Sequence, residues 1–179
     1  MELAVILVNE LAVTRARGRE VTPPAAGEAR RAALEAAFAA ADRPPPRSAG
    51  HPLAGADADR LAEVAAEVRP VFGGQDPRSI AGLNAALVRH SAVPSLYGDP
   101  PMLAFHHADA DVIDGWAADA ATALAMVIGV GQGVRLRSCE ANGCDLVFFD
   151  VTRNASRRFC GLSCQNRAKA SAYRARRRA

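Results

Sequence analysis

Four cysteines crowd into 26 residues near the carboxy-terminal end of this chain, and the sequence contains no others. They form two close pairs, Cys139-x4-Cys144 and Cys160-x3-Cys164, separated by 15 residues. Each pair is a local clip, and two clips from separate segments supply the four sulfurs of a tetrahedral zinc site. Four thiolates leave no open coordination position, so such a zinc is structural and not catalytic. An iron–sulfur centre could use the same ligands. Two disulfides would compete only in an oxidising compartment.

The spacing predicts a treble-clef-like finger, a β-hairpin followed by a helix. Gly143 precedes the second ligand, where a tight turn wants a residue free to take positive φ. Leu146 to Val151 reads as a strand, Asp150 to Ser156 as a turn, and Arg157 to Cys160 as the returning strand. A helix then starts near Leu162 and holds Cys164 in its first turn. A segment this small needs the metal for its stability. Phe148 or Phe149, Phe159, Leu162 and Tyr173 are its expected miniature core.

Charge divides the chain at the same place. Residues 1–134 carry 11 basic and 16 acidic side chains, whereas residues 135–179 carry 11 basic and 3 acidic. Every basic side chain except Lys169 is arginine. A cationic helix beyond Cys164 suits phosphate contacts and a place in the major groove of duplex DNA. The expected contact set is Arg153, Arg157, Arg158, Asn166, Arg167, Lys169, Arg174, Arg176, Arg177 and Arg178, with Arg135 and Arg137 extending the patch. Arg167, Arg174 and Arg178 share one helical face. Asn166 has a second reading, as a brace for the zinc turn. The segment lacks the exposed aromatic series of a single-strand stacking platform.

The larger part, residues 1–130, reads as mainly α. Alanine is abundant, aromatics make up 5% of the chain, and half of the residues are hydrophobic, which favours helices packed through small aliphatic side chains. Helical periodicity is expected over 27–42, 57–68, 79–88 and 110–128, while 3–14 suits a first helix or a buried strand, with Glu10 and Leu11 continuing the helical pattern. Thr22 and Ser79 are candidate helix caps. GREVTPPAAG and the connector from Pro44 to Gly55 read as loops, and a short strand fits Met102 to His106.

The carboxy-terminal segment resembles the CGNR-type zinc finger. The matching elements are LRSC, GCDLVFFD, RNASRRFC and CQNRAKA before an arginine-rich end; Gln165 stands where the name-giving motif has glycine. In that family the finger follows an α-rich domain described as a stress-induced transcription regulator. VNELAVTR, AALEAAFAAA and LNAAL are similar to that domain. The resemblance implies a DNA-binding transcription regulator of the stress response; a cytoplasmic location is expected separately, where reduced thiols favour metal binding over disulfides.

With double-stranded DNA as the partner of the finger, residues 1–130 are expected to form a homodimer, to sense a small-molecule effector, or both. Asn9, Arg15, Trp116 and Asp119 are candidates for an effector pocket, and each also has a structural reading. His106 and His107 beside Asp109 and Asp111 hint at a second metal, but adjacent histidines point apart and surface roles suit them better. No phosphate-binding glycine loop, nucleophile elbow or paired-carboxylate pattern points to an enzyme. The run from Ala117 to Val134 is too interrupted for a membrane span, and no secretory leader is apparent. The alternative function is a zinc-stabilised adaptor for RNA or protein.

Overall fold

The computed structural model describes residues 1–42 and 53–177. Arg178 and most of the Pro44–Gly55 connector lie outside the described residues.

Five helices build the larger part: α1 (Glu2–Leu11), α2 (Glu28–Ala40), α3 (Gly55–Val68), α4 (Pro77–Arg89) and α5 (Val112–Gly129). Helix α3 packs against the other four, and α1 and α4 also pack against α5. Leu7, Leu61, Val68, Phe72, Ile113 and Leu124 are fully buried at the centre. Alanines 117, 120 and 121 of α5 have no exposed surface and let its neighbours approach closely. Trp116 is buried edge-on against Phe38, with ring centroids 5.4 Å apart, so its core reading holds. Among the described residues, α5 is the helix long and apolar enough to span a membrane, and half of it is buried in this core.

The helix starts differ from expectation in two places. Asp76, not Ser79, caps α4: its carboxylate accepts from the amides of Arg78 and Ser79, with Pro77 at the first helical position. Both amides reach the same carboxylate oxygen, Oδ1, at 2.9 Å each. Ser79 instead lies in the first turn and donates to the carbonyls of Gly74 and Asp76. Thr22 caps nothing either, because α2 begins only at Glu28, after Gly27 at φ 77°. The Gly27 amide is held by the Asp59 carboxylate, 2.8 Å away.

Three antiparallel strand pairs complete the fold: β1 (Arg15–Ala16) with β2 (Arg19–Glu20), β3 (Ser95–Tyr97) with β4 (Met102–Ala104), and β5 (Leu136–Ser138) with β6 (Val147–Phe149). The first was read as loop from the sequence. Arg17 and Gly18 form its two-residue turn, both at positive φ, 54° and 86°, as the type I′ geometry of tight hairpins requires. Asp119 anchors the second hairpin by accepting the Phe105 amide at 2.8 Å, so it is a bracket and not a free surface carboxylate.

Strand β6 is joined to α1 by one side chain. Asn9 donates from Nδ2 to the Val147 carbonyl at 3.0 Å and accepts the Val147 amide on Oδ1 at 2.8 Å. Val147 is 2% exposed, so water cannot replace these bonds. The amide acts as a one-residue strand partner and fastens residues 135–177 to the helices. Asn9→Leu should leave both backbone groups of Val147 unsatisfied and destabilise the protein by about 1–3 kcal/mol. Denaturant unfolding reads the loss, and faster hydrogen exchange of the Val147 amide locates it.

Candidate metal centre

The two cysteine clips converge. The four Sγ atoms all lie within 4.8 Å of one another. Cys144 and Cys160 are 3.8 Å apart and Cys160 and Cys164 are 3.5 Å apart. A tetrahedron with zinc–sulfur bonds of about 2.3 Å has edges of about 3.8 Å, so the cage fits that ion. All four thiols are free, three of them buried.

Each segment arrives by its own local device. Gly143 takes φ 68° and turns the chain into Cys144. The short β5–β6 ladder pairs Ser138 with Val147 and so closes the first clip, helped by the Cys139 amide on the Leu146 carbonyl at 2.9 Å. Helix α6 (Leu162–Arg176) begins just after Cys160 and places Cys164, its one buried residue, in the first turn. Ala141, Leu146 and Phe159 pack around the sulfurs.

The finger differs from its expected layout in two respects. The partner of β6 is Leu136–Ser138, not Arg157–Cys160, which is extended but joins the cage through single bonds: the Glu140 amide on the Arg158 carbonyl at 3.0 Å, and the Cys160 amide on Cys139 Sγ at 3.4 Å. Leu162 and Tyr173 are 76% and 58% exposed and form no core. The two phenylalanines do face apart: Phe149 packs on the helical core, while Phe148 lies under the Arg157 guanidinium, 4.5 Å from the ring centroid.

Hydrogen bonds to sulfur shape the thiols. Burial alone would push the Cys144 thiol up, but the amides of Arg17 and Leu146, with Cys139 and Cys164 nearby, bring it below the ordinary thiol value. Burial first, then the neighbouring sulfurs, push Cys160 up; burial also raises Cys164, opposed by Cys160 and reinforced by Cys144 and Cys139. Without a cation, this crowd of sulfurs retains protons; a divalent ion displaces them and satisfies the cage.

A second set of contacts joins the amino-terminal hairpin to this cage. The Arg17 amide donates to Cys144 Sγ at 3.3 Å. The Gly18 amide donates to the Gly143 carbonyl at 2.9 Å, and the Asp145 amide to the Arg15 carbonyl at 2.8 Å. Arg15 grips Asp145 with Nε and Nη2, each at 2.9 Å. Arg15 is thus part of the clasp and not of an effector pocket. No sequence signal for metal binding marks this hairpin; the Arg-Gly turn pair was its only trace.

The expected cationic contact set separates into two groups. Arg167 donates to the Asn142 carbonyl at 2.8 Å, reaches Cys164 Sγ at 3.9 Å, and lies over Gly18, where a Cβ would meet its guanidinium. Arg157 donates to the carbonyls of Phe159 and Cys160. Arg158 pairs with Glu140 at 2.5 Å and Arg137 does so at 2.6 Å. Those arginine bonds, set against mild burial, hold Glu140 below the usual carboxylate range. Arg135 ties down the next turn through the carbonyls of Asp150 and Thr152. These five side chains hold the finger together. Arg153, Asn166, Lys169, Arg174, Arg176 and Arg177 are exposed. Arg177 leans on the Tyr173 ring, and no carboxylate pairs with these exposed cations among the described residues.

Asp150, with no exposed surface, organises the 150–157 turn. Its carboxylate accepts from the Thr152 amide and hydroxyl and from the Arg157 amide. Burial opposes its ionisation, but these bonds and Arg135 hold it below its ordinary value. Among the described residues the histidines form no second centre. His106 stacks on Tyr97 and bonds the His107 carbonyl, His90 bonds Asp114 at 2.8 Å, and the cysteine cage is the metal-type cluster found among the described residues.

This geometry defines a zinc-finger protein with a closed four-cysteine centre. Residues 135–177 match the family model of the CGNR zinc finger. No curated protein matches the chain.

Purified protein should carry one equivalent of zinc, measured by metal analysis, and stripping it should disorder both the finger and the Arg15–Glu20 hairpin. Loss of protection at the Arg17 amide in hydrogen exchange is the signature of the second effect. Asp150→Ala should destabilise the finger by about 1–3 kcal/mol. The folded carboxyl titrates below its unfolded value, so its contribution is complete above that value and is lost only in acid. The gap between variant and parent should therefore be flat between about pH 6 and 8.

Proposed function

We propose that the protein binds duplex DNA through α6 and acts as a transcription regulator, with zinc as a structural ion and no catalytic role. The observation that carries this reading is the state of α6. It is 15 residues long and buries one of them, Cys164. Among the described residues it makes no extended contact with any helix of the α1–α5 bundle, which supports a basic tail open to a partner. An isolated helix of this length is marginal in water. Anchored at its first turn and studded with Lys169, Arg174, Arg176 and Arg177, it presents about 22 Å of cationic rod.

A rod of that length and charge fits the major groove, with arginines on phosphates and base edges. The resemblance of the amino-terminal segments to a stress-induced regulator domain supports a role for the helical part in sensing or dimerisation. RNA or an acidic protein in place of DNA is the alternative, and competition experiments distinguish it.

A mobility-shift titration on random duplex should show binding that weakens steeply with salt. Arg174→Ala and Arg176→Ala should each flatten the salt dependence by about one unit of slope and leave zinc content unchanged. Arg167→Ala should behave differently, lowering finger stability because its guanidinium braces Asn142. Binding indifferent to salt would reject the phosphate-contact model.

A further inference from the structure

The amino-terminal hairpin brings two more arginines to the finger. Arg17 and Arg19 are both exposed, and no side-chain ion pair involves either among the described residues. They line one cleft of about 690 Å³ together with Ser163, in the first turn of α6. Between them, Gly18 lies against the Arg167 guanidinium, one helical turn further on.

On a 3.6-residue period, Ser163, Arg167, Arg174 and Arg177 fall on one stripe of α6. The hairpin arginines therefore stand at the beginning of the stripe whose other end carries Arg174 and Arg177. From Ser163 to Arg174 the axial rise is about 17 Å. A major groove is about 12 Å wide, so cations at both ends of this stripe reach the phosphates on its two walls.

Resting on the proposed DNA-binding role of α6, we infer that Arg17 and Arg19 belong to the same interface and grip the phosphate backbone flanking the groove. The helical domain, and not the finger alone, then holds the DNA.

The hairpin is built to keep this position. Its turn places Arg17, a residue with a Cβ, at φ 54°, where most side chains incur strain. That conformation aims the Arg17 amide at Cys144 Sγ and leaves the guanidinium free. Arg15 and Glu20 pair across the hairpin, and Arg15 is already taken by Asp145. Two acidic groups also line the cleft, Glu10 and Glu20. Glu10 is half-buried on α1 and Glu20 adds to the field on Arg15; among the described residues neither forms an ion pair with Arg17 or Arg19.

The test uses the full zinc-loaded chain and a random-sequence duplex, with affinity measured across a salt series. Arg19→Ala should weaken binding roughly three- to tenfold at low salt and lower the salt slope by about 0.9. Arg19→Lys should restore the slope, because it restores the charge. Zinc content and thermal unfolding of each variant should match the parent, which separates a contact from a folding defect. If Arg19→Ala keeps the parental affinity and slope while Arg174→Ala loses both, the hairpin is outside the interface and the role of α6 stands. If the parent protein does not bind duplex at all, both readings fall together.

Discussion

Hydrogen bonds donated to sulfur are the interactions on which the rest of this molecule depends. Two segments far apart in the chain give an amide to the cysteine cage: Arg17 to Cys144 and Cys160 to Cys139. The first comes from outside the cysteine-bearing segment. It orders the amino-terminal hairpin, lets Gly18 and Asp145 form their backbone bonds, and seats Arg167 over Gly18. Together with the Asn9 clip on Val147, it makes the finger continuous with the helical domain. A metal bound by four side chains thus organises residues at both ends of the sequence.

The cage also sets the electrostatics. Around it, arginines fall into two classes that composition cannot separate. Arg135, Arg137, Arg157, Arg158 and Arg167 are consumed by carbonyls, Glu140 and a sulfur. Among the described residues, Arg174, Arg176 and Arg177 on α6, Arg153 in the 150–157 turn, and Arg17 and Arg19 on the hairpin are exposed and have no carboxylate partner. Positive charge near a zinc site is therefore partly mortar and partly surface, and only the latter is available to a polyanion.

Much of this was legible in the sequence, and the exceptions have physical reasons. The cysteine spacing led to the cage because clip geometry is local. Alanine-rich periodicity located the five helices of the bundle because burial repeats every turn. Gly143 was legible because a positive φ leaves few choices. The hairpin at Arg15–Glu20 was not, since four strand residues carry no periodicity and the turn has arginine where asparagine or aspartate is usual. The strand pairing of the finger was misassigned because the true partner, Leu136–Ser138, lies before the first cysteine and outside the apparent motif. Hydrophobicity alone places Leu162 and Tyr173 inside, yet α6 is anchored only at its first turn and buries Cys164 alone. Arg167 looked like a surface cation because nothing in its neighbours reveals that a carbonyl at Asn142 lies within its reach.

The attachment of residues 9–18 to a centre closed by residue 164 has a consequence for biosynthesis. The ligands leave the ribosome well after the amides and carbonyls of the hairpin that complete the cage. The helical bundle can condense early, but its hairpin waits without its sulfur partner until the finger has been made. Metal capture is thus a late assembly step that reaches back to a segment made well before it. A nascent chain stopped before Cys164 would lack not only its finger but also the finished form of the Arg15–Glu20 hairpin.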